Sequence, residues 1–232
     1  WERNGWIEGI HFVVGVRPPK NFYPKGYIGP YKPPISWKHT ITVFTGTHFK
    51  LISQDRPSTG AGDSYQHIIA DEIKYQAENK FNKLSPALRG EFVRFGHSPY
   101  YGGTTMTTDM PNPNHGEHDW FLRHKKAMRK QQIKAILYAA DELNKARIAR
   151  MAADEANDQD ALDKADRDIE KWDKLWRQAR KDSTFFYVAS SFVNVAILRA
   201  AYFKTILKKM NVREILTSIL SIPPTLEKGQ MF

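Results

Sequence analysis

Asp71 and Glu72 stand side by side at the end of residues 65–70 (YQHIIA), a short run of strand-forming residues. Adjacent carboxylates delivered by an apolar strand suit metal-assisted phosphate chemistry. In an open α/β sheet ligands bind beyond the carboxyl ends of the strands. The first acid can there hold Mg²⁺, directly or through water, and the second can orient and deprotonate a water attacking a terminal phosphate. This is the Walker B pattern. The same residues also fit an ordinary helix start, where acids are favoured by the backbone dipole.

Several other groups could do chemistry. His115, Glu117, His118 and Asp119 form a compact set of metal-ligating types, with a plain polar loop as the alternative. His67 reads as a strand residue with a hydrogen-bonded ring. Arg56, Arg89 and Arg94 are candidate phosphate contacts or trans-acting fingers, with surface ion pairing as the alternative. The run 123–130 (RHKKAMRK) could meet nucleic-acid phosphates without reading sequence. Cations at a helix start oppose the dipole and invite an external anion.

The elements that position these groups follow from an uneven distribution of helix breakers. Thirteen of the 14 glycines and eleven of the 13 prolines lie within residues 1–116, and none of either occurs from Glu117 to Ile222. The chain therefore divides into a loop-and-strand part and a mostly helical part. Residues 41–44 (ITVF) and 48–52 (HFKLI) flank Thr45-Gly46-Thr47 and predict a β-hairpin. A short helix is expected to about Leu84, another from Ser85-Pro86, and strands at 91–95 (EFVRF) and 103–108 (GTTMTT). Helical spacing over 120–151 and 160–181, with 154–160 (DEANDQD) between, predicts an antiparallel hairpin. A run with strand propensity, 185–188 (FFYV), precedes one more amphipathic helix to about Met210.

Composition sets the outer limits. The 232 residues are 41% hydrophobic and 12% aromatic, enough for a sizeable core. The absence of cysteine excludes disulfides, thiolate metal sites and a cysteine nucleophile. No apolar run approaches the roughly 18 residues of a membrane span, and the mean hydropathy is −0.57. A net charge of +10 and a pI near 9.6 favour an acidic partner, nucleic acid or nucleotide first. The chain opens WERNGWIEG, with neither an initiator Met nor a leader pattern, which leads us to expect a piece of a longer protein.

Residues 50–72 (KLISQDRPSTGAGDSYQHIIADE) resemble the ATPase of the large terminase subunit of tailed double-stranded DNA phages. There a Gly-bearing hairpin leads through an S-x-D-x-P segment and a Gly-containing loop to a strand ending in Asp-Glu. The likeness continues through Arg89-Gly90 and through 103–111 (GTTMTTDMP), which is similar to the family's coupling motif. It runs on to the aromatic pair Trp120-Phe121 and to 187–194 (YVASSFVN) with Leu198, similar to a closing S-x-x-x-N-x-x-L segment.

The resemblance spans about residues 10–225. It implies an α/β fold: part of a P-loop NTPase sheet of the additional-strand type, with a long helical-hairpin insertion and a C-terminal helical subdomain. Residues 1–119 would be the ATPase core segment and 120–182 the insertion. Residues 183–232 would close the ATPase domain and begin the linker to a nuclease domain.

The resemblance also implies roles. Asp71 would bind the Mg²⁺ of ATP, Glu72 would be the catalytic base, and Thr107 and Thr108 would sense the γ-phosphate and couple hydrolysis to motion. Implied partners are the backbone of double-stranded DNA, the capsid portal, the small terminase subunit and further copies in a ring. The setting would be the cytoplasm of an infected bacterium. Two departures qualify this. No G-x-x-x-x-G-K-[ST] phosphate loop occurs in these residues, so weak ATP binding by this chain alone is expected. The hairpin is also longer than the family's usual connection. Alternatives are a helicase-type ATPase segment, which would be expected to show paired late arginines, and a non-enzymatic helical nucleic-acid-binding module built on 120–182.

Overall fold

The computed structural model describes residues 4–26, 33–53, 63–98 and 100–223. The chain is mixed α/β and divides into two compact units, Trp1–Asp63 and Ser64–Phe232. Arg56 lies outside the described residues.

The first unit is built on three antiparallel strands, β1 (Phe12–Val14), β2 (Thr40–Val43) and β3 (His48–Lys50), in that spatial order. Phe12 pairs with Val43, and Thr40 with Lys50. The β2–β3 pair is the expected hairpin. Its turn closes through Gly46 N to Val43 O at 2.8 Å, and Gly46 takes φ 88°, a conformation that costs glycine little. Phe12, Val13, Phe22 and Val43 form the core of this unit. Thr42 is fully buried, and its hydroxyl meets His48 Nδ1 at 2.9 Å.

The second unit begins with β4 (His67–Ala70). A tight turn over Ile73–Tyr75, helix α1 (Glu78–Asn82), a second turn over Ser85–Ala87 and helix α2 (Phe92–Phe95) connect it to β5 (Gly103–Met106). β4 and β5 pair in parallel, His67 opposite Gly103 and Ala70 opposite Met106. Ala70, Ile73, Phe81 and Phe121 pack beneath the pair, with Ile68, Met106, Trp120 and Leu122 against them. The expected strand at 91–95 is instead α2. Phe92 and Val93 are largely exposed, so no sheet neighbour supplies the cross-strand packing on which β-propensity depends.

The helical part opens with a turn at Trp120–Arg123 and the short α3 (His124–Ala127). Met128 and Arg129 are extended, so the continuous helix expected from residue 120 is broken there. Phe121 is drawn into the core, Trp120 donates its indole N–H to Gln76 O at 2.8 Å, and Arg123 pairs with Glu78. These anchors hold residues 120–123 to the core, and α4 (Lys130–Ala156) starts anew beyond the extended pair.

α4 packs against α5 (Gln159–Arg180) as an antiparallel hairpin. Its buried seam is mostly alanine, with Ala139, Ala146, Ala153 and Ala165 around Leu143. Tyr138 meets Trp172 edge to face. The turn is tighter than 154–160. Asp154, Glu155 and Ala156 stay helical, Asn157 ends α4 in the left-handed region at φ 53°, and Asp158 caps α5 by accepting from Ala161 N at 3.0 Å.

Residues 185–188 form no strand; Phe185 and Tyr187 stack on each other and stay exposed. α6 (Val195–Lys209) is broken at Arg199, and Phe203 buries itself against Phe192, ring on ring at 4.8 Å. α7 (Val212–Glu214) starts on a reciprocal Asn211–Glu214 capping box.

Candidate functional site

Asp71 and Glu72 emerge at the carboxyl end of β4, and Thr107 and Thr108 follow β5 directly. Parallel pairing in register brings the two strand ends to the same edge. Thr107 donates its hydroxyl to Asp71 Oδ1 at 2.6 Å, and Thr108 donates to Glu72 Oε2 at 3.3 Å. All four residues named from the sequence therefore meet in two hydroxyl–carboxylate pairs. Both acids are solvent-exposed.

The backbone contributes to the arrangement. Glu72 has φ 51° and ψ 47°, the left-handed region that a side chain with Cβ disfavours. Its N–H turns back to Asp71 Oδ1 at 3.1 Å. Backbone bonds then carry Thr107 N to Ala70 O at 2.9 Å and Ile73 N to Thr107 O at 3.2 Å. The chain after Glu72 is thus stitched to the end of β5, with Ile73 fully buried. Residues held in sparsely populated backbone regions cluster where geometry serves function.

Beneath the acids lies an ion-paired group. Lys74 is buried, and its Nζ sits 3.4 Å from Asp109 and 3.3 Å from Glu117. Glu117 also accepts from Asn112 N at 2.6 Å, and Lys74 O accepts from His118 N at 2.7 Å. Burial works against the charged form of Lys74, but Asp109 and Glu117 outweigh it and hold the ammonium above its ordinary value. Burial likewise opposes ionised Glu117, yet the Asn112 N–H and Lys74 bring its carboxyl below the usual range. The loop after β5 is thereby clamped to the segment that carries Asp71 and Glu72. The sequence reading missed Lys74; the signal was a lysine between Ile73 and Tyr75, immediately beyond an apolar strand.

The members of the 115–119 set are not drawn together around one point. Glu117 is spent on Lys74 and Asn112, and among the described residues no three His, Asp or Glu side chains are grouped to hold an ion. His67 is a structural strand residue, as expected. Tyr100 O can only accept, so Nδ1 carries the proton across 2.7 Å, and Nε2 takes the Thr105 hydroxyl at 2.9 Å. Arg89 and Arg94 are exposed, and the Arg89-Gly90 segment is held by Gly90 N to Tyr65 O at 3.0 Å.

The described residues include two shallow concavities. One of about 410 Å³ is lined by Trp6, Val43, Thr47 and Phe49, the other of about 390 Å³ by Asn112, His115, Asn211 and Arg213. Neither includes Asp71 or Glu72, both of which are solvent-exposed. No helix among the described residues is long and apolar enough to cross a membrane. No family model, curated protein or solved structure matches the chain.

Proposed function

We propose that this chain belongs to the ATP-driven motor that packages viral DNA, as part of a terminase large subunit, and supplies the acidic half of its hydrolytic site. The observation that carries the reading is the meeting of Asp71 with Thr107 and of Glu72 with Thr108 at one edge of a parallel strand pair.

The donor set fits the group it would hold. A carboxylate and a hydroxyl oxygen are hard ligands of the kind Mg²⁺ prefers. Asp71, oriented by Thr107, would hold the ion. Bound Mg²⁺ would neutralise charge on the terminal phosphates of ATP. Glu72 would take the proton of the attacking water, with Thr108 fixing its carboxylate beforehand. Thr108 can exchange its bond to Glu72 for one to phosphate or water, which gives β5 two states that differ with the nucleotide. Phosphate-cradling residues of the G-x-x-x-x-G-K-[ST] kind are not among these 232, so the role proposed for this chain is metal binding, base catalysis and coupling.

The test is single-turnover ATP hydrolysis by the motor that contains this chain. Glu72→Gln is expected to lower turnover by about a hundredfold or more, the upper range for a general base, while nucleotide binding persists. Turnover near the wild-type rate in that variant would overturn the assignment.

A further inference from the structure

The hairpin with its flanks, residues 123–181, carries sixteen Lys and Arg against eleven acids and is strongly polarised along its length. At its base, residues 123–134 and 171–181 hold eleven Lys and Arg against a single acid, Asp173. Around its tip, residues 154–168 hold seven acids against two cations. α4 has 27 residues, a length of about 40 Å at 1.5 Å per residue. The two ends of the hairpin therefore lie several Debye lengths of about 8 Å apart, so charges at the ends themselves do not cancel.

The two basic stretches are brought together by the antiparallel packing. Gln132 Nε2 donates to Ala179 O at 2.9 Å and to Lys181 O at 3.0 Å, and Phe186 N reaches Met128 Sδ at 3.4 Å. On α5, Lys171, Lys174, Arg177 and Arg180 recur every three residues, so each neighbours the next along a ridge that winds half a turn around the helix. Lys126, Lys130, Lys134, Lys174 and Lys181 are exposed, and none forms an ion pair among the described residues.

From these features we infer that the base of the α4–α5 hairpin is a binding surface for the phosphate backbone of duplex nucleic acid, with the acidic tip directed away from it. The charge densities correspond. Eleven residues of helix span about 16 Å, a length of duplex that carries about nine phosphate charges. An anionic membrane fits less well. Trp172 and Trp176 are partly buried, and Lys171 and Arg180 lie over their rings at 4.8 and 4.9 Å, so this face presents charge where a membrane surface would ask for free aromatic edges. The contacts are to backbone, so recognition is independent of base sequence. The inference takes its partner class from the proposed motor, but the surface itself stands on the charges alone.

Fluorescence anisotropy of the full 232-residue chain with a labelled mixed-sequence duplex, from about 50 to 200 mM salt, tests it. The variant combining Lys130→Ala, Lys134→Ala, Lys174→Ala and Lys181→Ala is expected to bind at least about tenfold more weakly and to flatten the log–log salt slope by about three to four, at 0.9 per lost phosphate contact. Neutralising the tip with Asp154→Asn and Glu155→Gln is expected to leave affinity within about twofold, since exposed charges beyond a Debye length are screened. Far-UV circular dichroism reports folding. If the fourfold variant fails to fold, the charge reversals Lys130→Glu and Lys174→Glu take its place, with the same loss expected. Wild-type affinity and slope in a folded base variant would overturn the inference, as would capture by phosphatidylserine vesicles with no duplex binding. Glu72→Gln should leave duplex binding unchanged, so failure here and failure of the hydrolytic reading are told apart.

Discussion

Thr107 donates its hydroxyl to Asp71 across 2.6 Å, joining residues 36 positions apart at the ends of two parallel strands. A hydrogen bond to a charged acceptor is the stronger kind. Here it fixes one carboxylate oxygen and leaves the other for a ligand. Manganese, a spectroscopic stand-in for magnesium, should report this. Titration followed by electron paramagnetic resonance is expected to show about tenfold weaker Mn²⁺ binding in Asp71→Asn, the scale of a lost ligand in an oxygen-donor site. Thr107→Val should weaken binding by a smaller factor, and Thr107→Ser should restore it. Equal binding by wild type and Asp71→Asn would remove Asp71 as the ion's ligand.

The left-handed backbone of Glu72 makes a second prediction. Its φ of 51° costs on the order of 1 kcal/mol for a residue with a Cβ. Glu72→Gly relieves that cost, partly offset by the greater freedom of glycine in the unfolded chain. The folded state should gain a few tenths to about 1 kcal/mol, read as a higher urea midpoint at unchanged slope. Glu72→Gln keeps the Cβ and should leave the midpoint where it is. A site that becomes more stable when its functional side chain is removed is the expected signature of geometry held for chemistry.

How much of this was legible in the sequence depends on the range of the interaction. The strand ending on Asp71-Glu72, the Thr-rich strand, the Gly46 hairpin and the two long helices are written in local periodicity and turn chemistry, and they form as expected in kind, although α4 starts at Lys130 rather than at residue 120 and runs on to Ala156. That the strand of Thr107 and Thr108 lies beside the one ending on Asp71-Glu72 was implied only by the family resemblance, because no local pattern encodes which strands are neighbours, and the Thr107–Asp71 bond itself was not expected. Residues 91–95 and 185–188 have strand-like side chains but gain no partner strand, so their propensity is not realised. The break at Met128 is equally non-local, since Trp120 and Phe121 are claimed by the core around Ile73. The Lys74–Glu117 pair escaped notice for the same reason: 43 residues separate a lysine from the acid that makes its burial tolerable.

That Lys74–Glu117 pair contributes to the pH response of the second unit. Glu117 has its folded-state pKa lowered below the ordinary 4.5, so its stabilisation is fully present above 4.5 and is lost as pH falls through the depressed value. Lys74 is raised above the ordinary 10.5, so its share is fully present below 10.5 and is lost as pH rises through the elevated value. Removing one partner strands the other, which for buried pairs costs about 3–5 kcal/mol. Lys74→Ala should therefore fall in that range by urea denaturation. Glu117→Gln should flatten the acid limb of a melting-temperature profile below pH 4.5. An unchanged acid limb would show that Glu117 carries no proton linkage.

Gly103 opens β5 directly opposite His67, and a Cβ there would lie 2.9 Å from the His67 Cε1 and 3.0 Å from Nδ1. The ring has little room to yield, since Tyr100 O and the Thr105 hydroxyl hold its two nitrogens. Gly103→Ala should therefore destabilise by about 1–3 kcal/mol, the usual cost of overpacking. His67→Ala alone should cost about 1 kcal/mol through its lost hydrogen bonds. In the double variant the clash is gone, so the two losses should not add: the combined cost should fall short of their sum by about 1 kcal/mol or more, as expected for residues in contact. Simple additivity would place the strain of Gly103→Ala elsewhere, in the backbone rather than against the ring. Because this pair lies at the opposite end of β4 from Asp71, Mn²⁺ binding by the folded double variant should match wild type, which separates the register of the strand pair from the chemistry at its carboxyl edge.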